Sequence, residues 1–286
     1  MKIRLLLFVI VPVFLILVLN SYSQTDLDNP LIPKTSRHPF YVGPVFGFNK
    51  VYHNVELLTF VDNTNLCNPF ENGSANGFYA GLSFEYLFGD IEKSQSSIIA
   101  RVLYNSMPAD LEREQDNYPS LVSNGSTNTI VYTSTRHVGS VKYNLLTFEA
   151  MYKLNPIKNF GFGLTAGPTF DFPITKSIYQ TYGLIGEPLN AYFTGPTTPE
   201  EVQTWHDNGW SLSPDKRTII VKNGTIDQAA SFRLGLKLGI QYEIILPSKM
   251  YIVPALYYNI GITKVTSLEN WRVNAIQLGV DVRFAL

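Results

Sequence analysis

His206 and Asp207, with Ser211 and Ser213 close behind, are the one place in this 286-residue chain where a base, an acid and hydroxyls crowd together. Those are the residue types of a serine hydrolase. A nucleophilic serine also needs a sharp strand-to-helix elbow to expose its hydroxyl, and no such motif flanks either serine. The other histidines, His38, His53 and His137, are scattered, and Cys67 is the single cysteine. One thiol excludes an internal disulfide, a CxxC redox pair and a cysteine zinc site. Cys67 itself reads as an isolated loop thiol. No catalytic set, metal site or cofactor is expected, and an enzyme with a site at an outer rim stays only as an alternative.

A second chemistry lies in the spacing of charges. Glu85, Arg101, Glu149, Lys153, Arg233, Lys237, Glu243, Asp281 and Arg283 alternate with apolar neighbours, and both signs occur in similar number. Alternation puts such residues on one face of a β-strand. Collected in a narrow interior, they imply a network of buried ion pairs. Trp205 and Trp210 are different candidates, either packing a loop over the mouth of the fold or contacting a ligand, as tryptophan does at binding hot spots.

The elements that must carry these residues are strands. From Phe232 to Ile244 every even position is apolar or aromatic, and every odd one is polar, charged or glycine. Gly77–Phe88, Phe160–Phe170 and the final Ile276–Leu286 repeat the pattern. Pro39–Phe48, Ser97–Asn105, Val141–Leu154 and Tyr251–Ile262 complete a set of eight. Their lengths are 9 to 14 residues, enough for a tilted strand, which needs about 9–11 to cross a bilayer. The connections alternate in length. Gly89–Ser96, Asn155–Asn159 and Pro247–Met250 are short, whereas Asn49–Asn76, Ser106–Gly139 and Asp171–Gln228 are long, with Thr263–Asn270 completing that side. Up-and-down hairpins then place short turns at one end and long loops at the other, the asymmetry of a bacterial outer-membrane barrel. The expected class is all-β: an eight-stranded antiparallel up-and-down transmembrane β-barrel with long extracellular loops.

Composition agrees. Charged residues are only 16% of the chain and aromatics 13%, so one strand face is too apolar for a monomer to show to water. A net charge of −1 without a basic run excludes nucleic acid as partner. A soluble lipocalin-like carrier would turn the apolar face inward, and it stands as a structural alternative. At the N-terminus, Lys2 and Arg4 precede an apolar stretch from Leu5 to Leu19, and Ser21-Tyr22-Ser23 supplies small residues before Gln24. That is the layout of a secretory signal peptide. Residues 1–23 are read as a cleaved signal peptide, 24–38 as a periplasmic segment and 39–286 as the barrel domain.

GFYAGLSFEYLF (Gly77–Phe88), GFGLTAGPTFDF (Gly161–Phe172) and QLGVDVRFAL (Gln277–Leu286) resemble the small outer-membrane barrels of Bacteroidota, the family that includes PorT-like proteins and has the OmpA-like eight-stranded build. The resemblance implies a place in the cell envelope, insertion by the barrel-assembly machinery and, for PorT-like members, an association with type IX secretion. Gly-Pro inside a strand recurs there, as at Pro168 and Pro44; Pro254 also interrupts a strand pattern. Family members commonly end on an aromatic residue, whereas this chain ends Phe284-Ala285-Leu286. The function expected is therefore non-enzymatic. A plugged barrel either binds a partner or ligand through its loops or supports secretion or envelope assembly, with a narrow pore or ligand carrier as the alternative.

Within the long loops, Asn72-Gly73, Asn124-Gly125 and Asn223-Gly224 read as turn dipeptides that extend hairpins. Thr198-Pro199-Glu200-Glu201 carries an N-cap, a first-turn proline and a capping-box glutamate, and Asn208-Gly209 a stop. A short helix at about Pro199–Asp207 follows.

Overall fold

The structure is a computed structural model that describes residues 38–57, 70–89, 94–123, 128–157, 160–246 and 250–286. The expected signal peptide, nearly all of the 24–38 segment, Cys67 and Asn124-Gly125 fall outside the described residues. In chain order the elements are β1 (Phe40–Leu57), β2 (Phe70–Leu87), β3 (Ser96–Ser106), β4 (Ala109–Ser123), β5 (Asn128–Leu154) and β6 (Phe162–Ile185). There follow β7 (Ala191–Tyr192), α1 (Pro199–Asn208), β8 (Ser211–Leu212) and β9 (Thr218–Thr225). The last are β10 (Arg233–Tyr242), β11 (Ile244–Leu246), β12 (Met250–Gly261) and β13 (Arg272–Ala285).

Eight strands close a ring in the order β1–β2–β3–β5–β6–β10–β12–β13. β13 returns to β1 through pairs that run from Tyr41↔Ala285 to Asn54↔Arg272. Every pairing is antiparallel. The architecture is the eight-stranded antiparallel barrel read from the sequence. Alternation decides the two faces: β3 switches between buried and exposed at each residue of its interior. Arg101, Leu103 and Asn105 point in, while Val102 and Tyr104 point out.

The long connections are mostly not loops. β5 has 27 residues and β6 has 24, more than twice a bilayer-crossing strand. β3 and β4 together make one barrel strand interrupted at Met107-Pro108, since β3 pairs with Asn144–Leu154 of β5 and β4 with Asn128–Val141. β9 and β10 share β6 in the same way, β10 along Phe162–Asp171 and β9 along Ser177–Gly183. A wall in the order β4–β5–β6–β9–β8 thus rises from one side of the ring. Two of the expected turns are corrected. Asn72-Gly73 lies within the β1–β2 ladder, opposite Asn54 and His53. Asn223-Gly224 lies within β9, opposite Tyr179 and Ile178. The dipeptide turns a chain only where cross-strand pairing stops, and here it continues.

The in-strand prolines have a physical account. Proline has no N–H to give the ladder. Beside Pro44 the β1–β13 pairs skip from Val42↔Phe284 to Val45↔Asp281. Beside Pro168 the β5–β6 pairs skip from Glu149↔Thr169 to Tyr152↔Ala166. Beside Pro254 pairing passes from Gln241↔Ala255 to Ile244↔Ile252. The register is unchanged across each gap, so the ladder opens on one side without a bulge. Gly43 and Gly167 precede two of these prolines, and a side chain at either would strike a neighbouring backbone carbonyl, that of Val282 or Ala150. Gly167→Val should therefore cost about 1–3 kcal/mol through overpacking. Urea unfolding of the refolded barrel measures this, and an unchanged midpoint contradicts the close approach of β5 and β6.

Candidate functional site

Inside the ring, eight of the nine charges singled out from the sequence form one chain of contacts. Glu243 meets Lys153, Lys153 meets Glu85, and Glu85 meets Arg283. Arg283 reaches Asp281 at 2.7 Å, and Asp281 reaches Arg101 at 2.8 Å. Arg101 lies 3.6 Å from Glu149, which in turn meets Lys237. The signs alternate along the whole path. Spacing by even numbers along a strand is what keeps the pairs Glu149/Lys153 and Asp281/Arg283 on the inner face. Register does the rest, since Arg101 stands directly opposite Glu149. Arg233 is not on this path. Its guanidinium lies 5.4 Å over the Tyr143 ring and donates to the Val273 carbonyl at 3.4 Å.

Several interior groups were not singled out from the sequence. Asp171 is buried opposite Arg233 and accepts a hydrogen bond from Thr147 at 2.8 Å. Tyr257 accepts from Arg101 at 2.6 Å, and its ring also faces Lys237 at 5.2 Å. Tyr79 faces Lys237 from another side at 5.7 Å. Asp171 had a signal: it continues the odd-numbered polar face of Gly161–Thr169 by one step.

Toward the end with the long connections the interior changes character. Val51, Val55, Met107, Leu111, Tyr143, Val265 and Trp271 belong to a single buried apolar cluster. His53 is the polar rivet within it. Trp271 Nε1 donates to His53 Nδ1 at 2.9 Å, and His53 Nε2 lies 3.0 Å from the Met107 carbonyl. An indole can only donate, so Nδ1 accepts and the imidazole proton sits on Nε2. At the other end, a cavity bounded by Tyr41, Lys153, Glu243 and Tyr251 holds about 20 Å³, room for a water or two and not a solute.

The wall has its own core. Tyr182, Leu184, Phe193, Ile219 and Val221 are buried together, and the half-buried Trp205 and Trp210 pack against them. The two indoles meet edge to face at 5.9 Å. α1 spans Pro199–Asn208, close to the expected range. Thr198 and Glu201 form the capping box and Gly209 takes the left-handed closing turn. Hydrogen bonds from the backbone N–H groups of Thr197 and Thr198 hold the Glu201 carboxyl below its ordinary range. His206 and Asp207 are exposed on this helix 3.4 Å apart, while Ser213 donates its hydroxyl to Asp215 instead. The hydrolase residue types are not assembled into a relay. Arg217 is an organiser that sequence reasoning missed. Its guanidinium donates to the carbonyls of Pro188, Leu189, Ala191, Leu184 and Gly186 at 2.7–3.4 Å, gathering the segment between β6 and β7. Outside, Arg136 bridges Glu112 at 3.1 Å and Glu114 at 2.6 Å, an exposed cluster that contributes little to stability.

Neither a protein-family model nor a curated protein sequence matches the chain. Among solved structures, Neisserial surface protein A aligns with 87% of this chain and 97% of its own length, at 15% identity and a TM-score of 0.33. Ail, the attachment invasion locus protein of Yersinia pestis, aligns over 85% and 98% at 13% identity and 0.34. The outer membrane protein OprG from Pseudomonas aeruginosa aligns over 87% and 98% at 12% identity and 0.32.

Two outcomes follow from this geometry. Lys237→Ala leaves the buried Glu149 with Arg101 alone and should destabilise the barrel by about 3–5 kcal/mol. The double change Glu149→Gln with Lys237→Met should recover part of that loss, and urea midpoints of the refolded proteins measure both. Within the wall, His137 packs edge to face on Tyr182, with its Nε2 2.8 Å from Gln180. Burial pulls its pKa down from the ordinary 6.5 to about 4. Neutral when folded, it gains a proton on unfolding at any pH between those values. Wall stability should fall as pH drops from 6.5 toward 4, by at most about 1.4 kcal/mol per pH unit. Proteolysis of the wall at pH 7.5 and pH 5 tests this, and His137→Gln should flatten the pH dependence.

Proposed function

We propose that the chain is an integral, non-enzymatic protein of a bacterial outer membrane, a plugged barrel that displays its one-sided wall to a surface partner or ligand. The observation that carries this reading is the exterior. Phe46, Phe48, Phe78, Phe84, Leu82, Leu236, Leu238, Leu256 and Leu278 all stand exposed around the ring, while the charges are inside. A soluble carrier needs the reverse arrangement. Water does not tolerate an apolar surface of that extent, and hydrocarbon accepts it once every strand edge is paired. The N-terminal pattern of residues 1–23 supports export by a cleaved signal peptide, after which the barrel-assembly machinery would be the insertion partner. The C-terminus of β13 and the start of β1 lie at the end with the short connections, which supports a periplasmic position for that end and an external one for the wall.

The nine interior charges act in this reading as a plug. Eight strands enclose a space that side chains can fill, and here ion pairs fill the lower part and an apolar cluster the upper. Of the uses open to such a barrel, binding at the wall is favoured over conduction. A PorT-like role in secretion is the more specific form of the proposal, and it rests on the short motifs quoted above.

The test combines depth and conductance. Leu236→Arg and Leu238→Arg should each destabilise the barrel refolded into liposomes by about 2–4 kcal/mol, and Ile244→Arg, nearer the strand end, by less. Wild-type protein in planar bilayers should give no discrete channel steps. Equal losses at all three positions would refute the membrane reading, and a stable unitary conductance would refute the plug.

A further inference from the structure

Opposite the wall, the rim of the ring is low and basic. On β1 the outward residues run Phe46, Phe48, Lys50, Tyr52, Asn54, and on β13 they run Leu278, Ile276, Asn274, Arg272. Just past β12, exposed Ile262 is followed by exposed Lys264. Each strand thus passes from apolar to cationic within two to four residues of its last belt side chain. Register sets two of them on neighbouring strands: Lys50 is opposite Ile276, and Asn54 is opposite Arg272. Lys50 and Arg272 are four residues apart along the strand direction, about 13 Å at ~3.3 Å per residue, a gap that two long side chains can close around one headgroup.

Lys50 has uncharged polar neighbours, and the turn that carries Lys264 and leads to Arg272 also holds Glu269. Lys50 Nζ lies 3.4 Å from the Ser74 hydroxyl and 6.0 Å over the Tyr52 ring. Asn274 uses its carbonyl oxygen to accept from the Gly261 N–H at 3.0 Å. Among the described residues, no carboxylate comes within ion-pair distance of Lys50, Lys264 or Arg272. The wall side differs, because there Glu112 and Glu114 engage Arg136.

We infer that this low rim binds the phosphorylated sugar headgroup of a glycolipid in the outer leaflet. The inference rests on the membrane reading above. A lipid source is favoured over free phosphate because the cations stand at the boundary of the apolar belt. A ligand held there rests its acyl chains on Phe46, Phe48, Ile276 and Leu278. Lysine and arginine suit the place, since their stems lie along apolar surface while their charges reach out to the polar layer.

The experiment refolds the wild type and the variant Lys50→Gln/Lys264→Gln/Arg272→Gln into phosphatidylcholine vesicles. These carry either no addition, diphosphoryl lipid A, or the same lipid without phosphates. Inorganic phosphate in the buffer is a fourth arm, and Lys216→Gln on the wall is the control substitution. Thermal midpoints are read from heat-modified gel mobility. The wild type and Lys216→Gln should gain midpoint with diphosphoryl lipid A alone. The triple variant should need on the order of a hundredfold more of that lipid for the same gain, as expected for three cations near an anionic surface. Equal gains in variant and wild type, no gain in either, or the same gain from free phosphate would each overturn the inference. Failure of every protein to fold into any vesicle would overturn the membrane reading first, and it is distinguishable because the plain vesicles already show it.

Discussion

A strand that faces hydrocarbon has no water to satisfy its N–H and C=O groups, so each must find a partner in the neighbouring strand. The seam between β1 and β13 leaves the ring without an open edge, as the membrane setting proposed for it requires. Once the seam is closed, the register of every strand is fixed, and with it the side on which each residue points. A slip of one residue anywhere would exchange the faces, setting Lys237 on the apolar exterior and Leu238 among the ion pairs. The gaps at Pro44, Pro168 and Pro254 are consistent with this, since each lifts a few rungs and then resumes at the same register.

The interior holds two kinds of filling, and each suits its position. Low in the ring, where eight strands bring charged residues within reach of one another, desolvation is offset by alternation of sign from Glu243 through to Lys237. Tyrosine rings at positions 79, 143 and 257 occupy the space between and meet the cations with their faces. Higher up, Trp271, Met107 and Leu111 fill the space instead. His53 joins the β1, β3–β4 and Trp271 segments because its two nitrogens play opposite roles.

Strand parity made the barrel legible in the sequence, and parity is a strong signal because a single face change costs the whole pattern. The helix at Pro199–Asn208 was legible for a different reason: a capping box and a first-turn proline are local rules. What parity could not show was where pairing ends. The upper halves of β5 and β6 carry polar residues such as Arg136, Ser140 and Gln180 on strands that run on beyond the apolar belt, so they resemble loop composition. Asn72-Gly73 and Asn223-Gly224 misled for the same reason. Asp171 was passed over because it sat at the assumed edge of a strand. Arg217 carries no sequence mark at all, since its partners are backbone carbonyls and any residue can supply those.

The interruption at Met107-Pro108 has an evolutionary consequence. Below it, β3 pairs only with the lower part of β5; above it, β4 pairs with the upper part and never shares a rung with the lower ring strands except at Ser74↔Asp110. Substitutions in β4, β9 or α1 therefore leave the hydrogen-bonded rows that close the ring intact. If the wall is the recognition surface proposed above, selection for a changing surface can act on it while selection for closure acts on the ring. The fold separates the two pressures, so the wall is free to diversify at a rate the ring cannot follow.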